Sequence, residues 1–184
     1  MQQNLVELAA LLSMSPVDAP AIDWTEVTRE LGSELPADYR ALIDMFGPGL
    51  IRGSDIIIYG PGCPNVYYDL VPESKQRIED LEGLWSDVPP EDRPPHLFVP
   101  GTHLVNWATS GCGEYFYWIA DATKPPETWT VSLEQGRDGA WEHFDLGCVD
   151  FLLAAFTGRI DTFYLRSLPE RTYTYEPLKE LPGP

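Results

Sequence analysis

Apolar residues return at intervals of three and four along several stretches of this chain, and at intervals of two along others. Leu5, Leu8, Ala9 and Leu12 share one helical face, so residues 2–12 read as a short amphipathic helix. Ser13 to Pro20 reads as a linker. Asp23 followed by Glu26 has capping-box spacing, which starts a second helix running to Leu31, with Gly32 as its stop. Pro36 suits the first turn of a third helix, in which Tyr39, Leu42, Ile43 and Phe46 follow i, i+3, i+4, i+7 before Gly47.

From Leu50 the pattern turns strand-like. Ile56 to Tyr59 is a short apolar run bounded by Gly and Pro, as in a buried strand, and Gly60 to Pro64 is a turn. A fourth helix starting near Pro72 or Glu73 places Ile78, Leu81 and Trp85 on one face, and the prolines between 89 and 95 end it. Strands are then predicted at 97–99, 103–108, 114–120, 128–133 and 141–145. Thr128 to Glu134 alternates polar and apolar, predicting one face on the core and the other in water. Gly111-Cys112-Gly113 supplies a hairpin turn. Val149, Leu152, Leu153, Phe156 and Ile160 define a closing helix from Cys148 to Gly158. The proline-spaced tail beyond it has room for an edge strand around Thr172–Tyr175.

A chain of 184 residues supports one domain with short appendages. Its 15 glycines and 18 prolines point to a loop-rich α+β fold rather than a helix bundle. Charge narrows the function more than composition does. With 29 acidic against 12 basic residues, the net charge is −17. Unaided nucleic-acid binding is disfavoured, because phosphate neutralisation needs clustered Lys and Arg, and an anionic membrane is disfavoured for the same reason. The N-terminus has no basic region, and Glu7 interrupts its only apolar segment, so no secretory signal is expected. Cys63, Cys112 and Cys148 are odd in number and far apart, which fits reduced thiols in a cytoplasmic protein.

Sites for chemistry are sparse. Cys112 sits in a glycine turn, with His103, His143 and Asp121 as conceivable partners, but none has a local catalytic signature. His96, His103, His143 and the cysteines lack metal-ligand spacing. Glu114 and Asp121 are seven residues apart on one predicted strand, roughly 20 Å or more, too far to act as a carboxylate pair. The glycine turns at 60–62 and 111–113 lack the following Lys of a phosphate cradle. No catalytic residue, metal or cofactor is therefore expected.

Three segments carry a family resemblance. Leu35-Pro-Ala-Asp-Tyr-Arg-Ala-Leu-Ile-Asp-Met-Phe-Gly47 looks like a helix-then-glycine signature. Leu97-Phe-Val-Pro100, followed by Ser110-Gly-Cys-Gly-Glu-Tyr-Phe-Tyr-Trp-Ile-Ala-Asp121, looks like a turn, an aromatic strand and a terminal Asp. Asp150-Phe-Leu-Leu-Ala-Ala-Phe156 looks like a final helix. In order and spacing these resemble the SUKH superfamily, which includes yeast cell-wall synthesis regulators and bacterial immunity proteins. The resemblance spans residues 22–160, leaving 1–21 as an N-terminal helix and linker and 161–184 as a tail. It implies a single α+β domain whose central, mainly antiparallel sheet is flanked by helices. The implied role is non-catalytic: binding another protein, such as a nuclease-type toxin, and blocking it inside the producing cell. A regulatory or scaffold protein of the same family is the alternative, and a Cys-dependent enzyme is a third. The resemblance does not specify an oligomeric state.

The acidic run Glu79, Asp80, Glu82, Asp87, Glu91 and Asp92 contains no Lys or Arg between its ends. It reads either as a solvated helix end and loop or as a patch that steers a basic partner. Tryptophan is enriched at the energetic centres of interfaces. Of the six here, Trp118 and Trp129 are expected in the core, and Trp85 and Trp107 partly exposed. The candidate binding residues are therefore Glu79, Asp80, Glu82, Trp85, Asp87, Glu91, Asp92 and Trp107.

Overall fold

A computed structural model describes residues 3–94, 97–136 and 139–178. The elements are α1 (Gln3–Leu11), α2 (Trp24–Leu31), α3 (Ala37–Phe46), β1 (Gly49–Arg52), β2 (Ile56–Ile58), α4 (Leu70–Ser86), β3 (Thr102–Ser110), β4 (Glu114–Asp121), β5 (Thr130–Gln135), β6 (Ala140–Phe144), α5 (Cys148–Thr157) and β7 (Thr174–Pro177). The seven strands form one sheet in the order β6-β5-β4-β3-β2-β1-β7, with every neighbouring pair antiparallel. Chain order is therefore kept from β1 to β6, and the tail returns to close the sheet beside β1. The chain is a single α+β domain, as the sequence predicts.

Local signals act as expected at most ends. Asp23 accepts hydrogen bonds from Thr25 N–H and Glu26 N–H at the start of α2, and Gly32 ends the helix at φ +76°. The Glu26 carboxylate engages Arg29 one turn on. Tyr39, Leu42, Ile43 and Phe46 of α3 are all buried. α4 starts at Leu70, ahead of the expected Pro72, because Asp69 accepts from Val71 N–H and Pro72 falls in the first turn, where no N–H is needed. Residues 97–99 form no strand. Prolines 94 and 100 bracket them, and only Leu97 turns inward.

The two faces of the sheet are covered by different helices. On one face, Phe116 and Trp118 of β4 meet Phe151 of α5 and Tyr39 of α3, with ring centroids 5.9 and 4.8 Å apart. α1 packs on α5, and its Leu5, Leu8 and Leu12 enter the same core. The segments outside the family-like region are thus built into the core. β7 is the edge strand expected in the tail; Tyr175 crosses Gly49 and donates its hydroxyl to Gly47 C=O at 2.5 Å. A side chain at Gly49 would collide with that ring.

α3 and α5 are also joined by one carboxylate. Asp38 accepts from Val149 N–H at 3.1 Å and from the Cys148 thiol at 3.6 Å, and caps an N-terminus whose own preceding residue is Gly147.

The other face is closed by α4, which packs across β3. The face of β5 expected in water is therefore covered: Ser132 and Glu134 are fully or almost fully buried. Alternation along a strand separates two faces but does not say what covers either one.

Two predictions follow from the packing. Phe46→Ala and Phe156→Ala should each cost about 3–5 kcal/mol in chemical denaturation, the usual range for a buried aromatic. Burial holds the Asp38 carboxyl above its ordinary range, against the opposing pull of the Val149 and Tyr39 N–H donors. The native state therefore binds this proton at higher pH than the unfolded chain. The contribution is full below the unfolded value of about 3.9 and is lost as pH rises through the native one. Asp38→Asn should flatten the stability–pH slope in that window, and an unchanged slope would assign it to another group.

Candidate partner-binding surface

α4 is fastened to the sheet by a buried charge. The Arg77 guanidinium donates from Nε to the Tyr117 hydroxyl at 2.9 Å and from Nη2 to Glu134 Oε2 at 2.6 Å. Tyr117 donates in turn to the same carboxylate oxygen at 2.6 Å. The guanidinium also lies 3.8 Å from the centroid of the Tyr115 ring. Side-chain exposure is 14% for Arg77 and 4% for Glu134, so this ion pair is desolvated. Burial pulls the Arg77 pKa down, but Tyr117 and Glu134 outweigh it and the net shift is upward. Burial and the adjacent Glu134 raise Tyr117 well above its ordinary range. One turn earlier, Ser74 Oγ accepts from Asn106 N–H at 2.9 Å, and the Asn106 amide donates to Ala108 C=O and Phe116 C=O.

A row of rings runs outward from this network. Tyr117 lies 5.2 Å from Trp141, Trp141 lies 6.0 Å from Trp85, and Trp85 meets Phe98 edge-on at 4.9 Å. The inner end is buried, Trp85 and Trp141 are half-buried, and the outer end is open. Phe98 is 43% exposed, Val99 49% and Leu84 60%. Arg93 ties the proline-rich loop to this end of α4, donating to Trp85 C=O at 2.7 Å and to Val88 C=O at 2.9 Å. Its cation compensates terminal carbonyls that no basic residue of the last helical turn serves.

All six carboxylates of the acidic run are exposed. Glu79, Asp80 and Glu82 lie on the solvent side of α4, away from the buried positions Ser74 and Leu81. Asp87 follows the last residue of the helix, and Glu91 and Asp92 occupy the short 3-10 turn Pro90–Asp92 held beside it by Arg93. The structure thus places these three with Trp85 at one end of α4.

Trp107 lies elsewhere. It is fully buried, stacked on Trp118 at 5.5 Å and edge-on to Phe151 at 6.5 Å. Val105 pairs with Trp118, so Trp107, two residues further along β3, lies on the same α5-side face by alternation, and the register shift between Asn106 and Ala108 leaves it there. The expectation that it is partly exposed is corrected, and it is not a surface residue. Trp118 and Trp129 are in the core as expected. Sequence reasoning missed Leu84, Phe98, Val99, Trp141 and Arg93. The apolar triplet at 97–99 was their only local signal, and it reads equally well as a strand.

The groups considered for catalysis do not converge. Cys112 is exposed in the β3–β4 turn, while His103 is nine residues back along β3, roughly 30 Å in an extended strand. His103 faces Ser33 Oγ at 3.3 Å and the Trp129 ring. Asp121 is occupied by Thr123 and Lys124. His143 is on β6, paired in register with Ser132. His96 lies outside the described residues. Among the described residues, no three His, Cys, Asp or Glu side chains gather as metal ligands. A cavity of about 360 Å³ lined by Glu142, Asp161, Thr162, Phe163 and Arg166 contains neither Cys nor His. Comparison of the chain with protein-family models, curated proteins and solved structures gave no match in any of the three.

Removing one member of the buried pair should be costly. Arg77→Ala leaves the buried Glu134 carboxylate without its cation, and the expected loss is about 3–5 kcal/mol in urea denaturation. Arg77→Met combined with Glu134→Gln should lose much less, because no uncompensated charge remains. Equal losses for the two proteins would show that lost packing, not charge, dominates.

Proposed function

We propose that this chain is a non-catalytic, cytoplasmic protein-binding domain of SUKH type, an immunity protein that neutralises a basic, nuclease-type toxin. The observation that carries this reading is the open end of α4. There, exposed Leu84, Phe98 and Val99 and half-buried Trp85 stand beside the exposed carboxylates of Asp87, Glu91 and Asp92. Aromatic side chains give an interface its energetic centre, and like-signed charge around them raises the encounter rate with a partner of opposite sign. The carboxylates also stand at the negative end of a helix, where they oppose the backbone dipole. A basic partner relieves that repulsion. The sequence resemblance supports the immunity role, and the α+β sheet architecture agrees with the fold it implies. Among the described residues, no helix is long and apolar enough to cross a membrane.

The test has two parts. Affinity capture from native cytoplasm should return a basic protein with the parent chain and not with Trp85→Ala. Binding of that protein should then be about tenfold slower at low salt for the variant Asp87→Asn, Glu91→Gln, Asp92→Asn. The difference should shrink at 1 M salt, where the Debye length is about 3 Å, with little change in dissociation. Equal low-salt rates for parent and variant would reduce the run to a solvated face. A captured protein with no toxic activity would favour the regulatory role.

A further inference from the structure

We propose that the residue this surface reads on its partner is arginine, whose guanidinium stacks on the exposed Phe98 ring beside half-buried Trp85 while its edge donates to Asp87, Glu91 or Asp92. This rests on the protein-binding reading and adds the chemistry of the partner's central contact.

The same side of the sheet already solves this problem twice with the protein's own arginines. Arg77 lies over Tyr115 and binds Glu134 with its edge. Arg93 stands 5.7 Å from the Phe98 centroid and spends its edge donors on Trp85 C=O and Val88 C=O. Both combine an aromatic face with acceptors at the guanidinium rim. At the outer end of the ring row Phe98 is exposed, and the exposed carboxylates of Asp87, Glu91 and Asp92 lie at the same end of α4 and in the turn that follows it. Phe98 retains 43% exposure although Arg93 is beside it. Among the described residues, the side chains of Asp87, Glu91 and Asp92 enter no hydrogen bond or ion pair, so their oxygens are free to accept.

Geometry favours arginine over lysine. A guanidinium is planar, so it covers a ring with its face while its N–H fork reaches a carboxylate in its own plane. An ammonium is compact and strongly hydrated; it gains the charge attraction but cannot stack. Arginine and tryptophan are also the residue types most often found at the energetic centres of interfaces.

Two labelled peptides of equal length and charge test this, one alternating Ala and Arg and the other alternating Ala and Lys, titrated into the full chain. The arginine peptide should bind at least about threefold more tightly, as expected for an exposed cation–π contact. Phe98→Leu and Trp85→Leu should each remove that preference, bringing the affinities of the two peptides to within about twofold of each other. Phe98 is exposed, so its variant keeps the fold even if Trp85→Leu does not. The Asp87→Asn, Glu91→Gln, Asp92→Asn variant should weaken both peptides. Equal binding of the two peptides by the parent, no binding of either, or a preference that survives Phe98→Leu would each overturn arginine recognition. None of these results touches the protein-binding reading, which stands or falls on the captured protein's dependence on Trp85 and on the carboxylates.

Discussion

The position of α4 depends on a guanidinium buried between a helix and a sheet. Taking Arg77 and Glu134 out of water is expensive, and their attraction repays this only when the remaining donors and acceptors are met. Here Tyr117 and the Tyr115 ring meet them. The network fixes the rotation of α4 about its axis. With Ser74 and Leu81 held inward on either side of Arg77, Trp85 is carried to the edge of the sheet and the carboxylates turn outward. A purely apolar helix face would slide at less cost. A hydrogen-bonded ion pair does not, and the surface at the end of α4 inherits that precision.

The second face of the sheet therefore differs in kind from the first. The α5 side is a buried aromatic core in which Trp107, Phe116, Trp118, Phe144 and Phe151 pack together. Its indole N–H groups on Trp107 and Trp118 find no hydrogen-bond acceptor among the described residues. The α4 side is amphipathic, with Asn106, Ser132 and Glu134 buried beneath the helix and a row of rings leading from them to solvent. One layer supplies stability through packing. The other converts a buried polar contact into a shaped, charged exterior, the surface for which we propose a protein partner.

Much of this was legible beforehand. The helices at 3–11, 24–31, 37–46 and 148–157 follow from apolar spacing and from Asp23, Gly32, Gly47 and Gly158, because caps and amphipathic faces are local properties. The acidic run and Trp85 were legible as candidates for the same reason: they are close in sequence on one helix and the loop after it. Trp141 and Phe98 were not, since nothing local tells a residue on β6 and another in a proline-bounded turn that they meet the end of α4. Arg93 carried no signal either, because its role as a clip exists only once the loop folds back.

The sequence by itself determined most of the elements, though not the strand expected at 97–99, together with the single α+β domain and the acidic character of one segment, since these depend on neighbours within a few residues. Tertiary structure decided which faces were covered and where the surface rings gathered. The packing of Trp118 and Phe151 on the α5 side buried Trp107, and α4 crossing the sheet buried Glu134, whose strand pattern alone points to water. Both outcomes depend on partners far away in the chain. Which helix covers which face of the sheet is set by the packing of the whole layer, and local spacing does not record it.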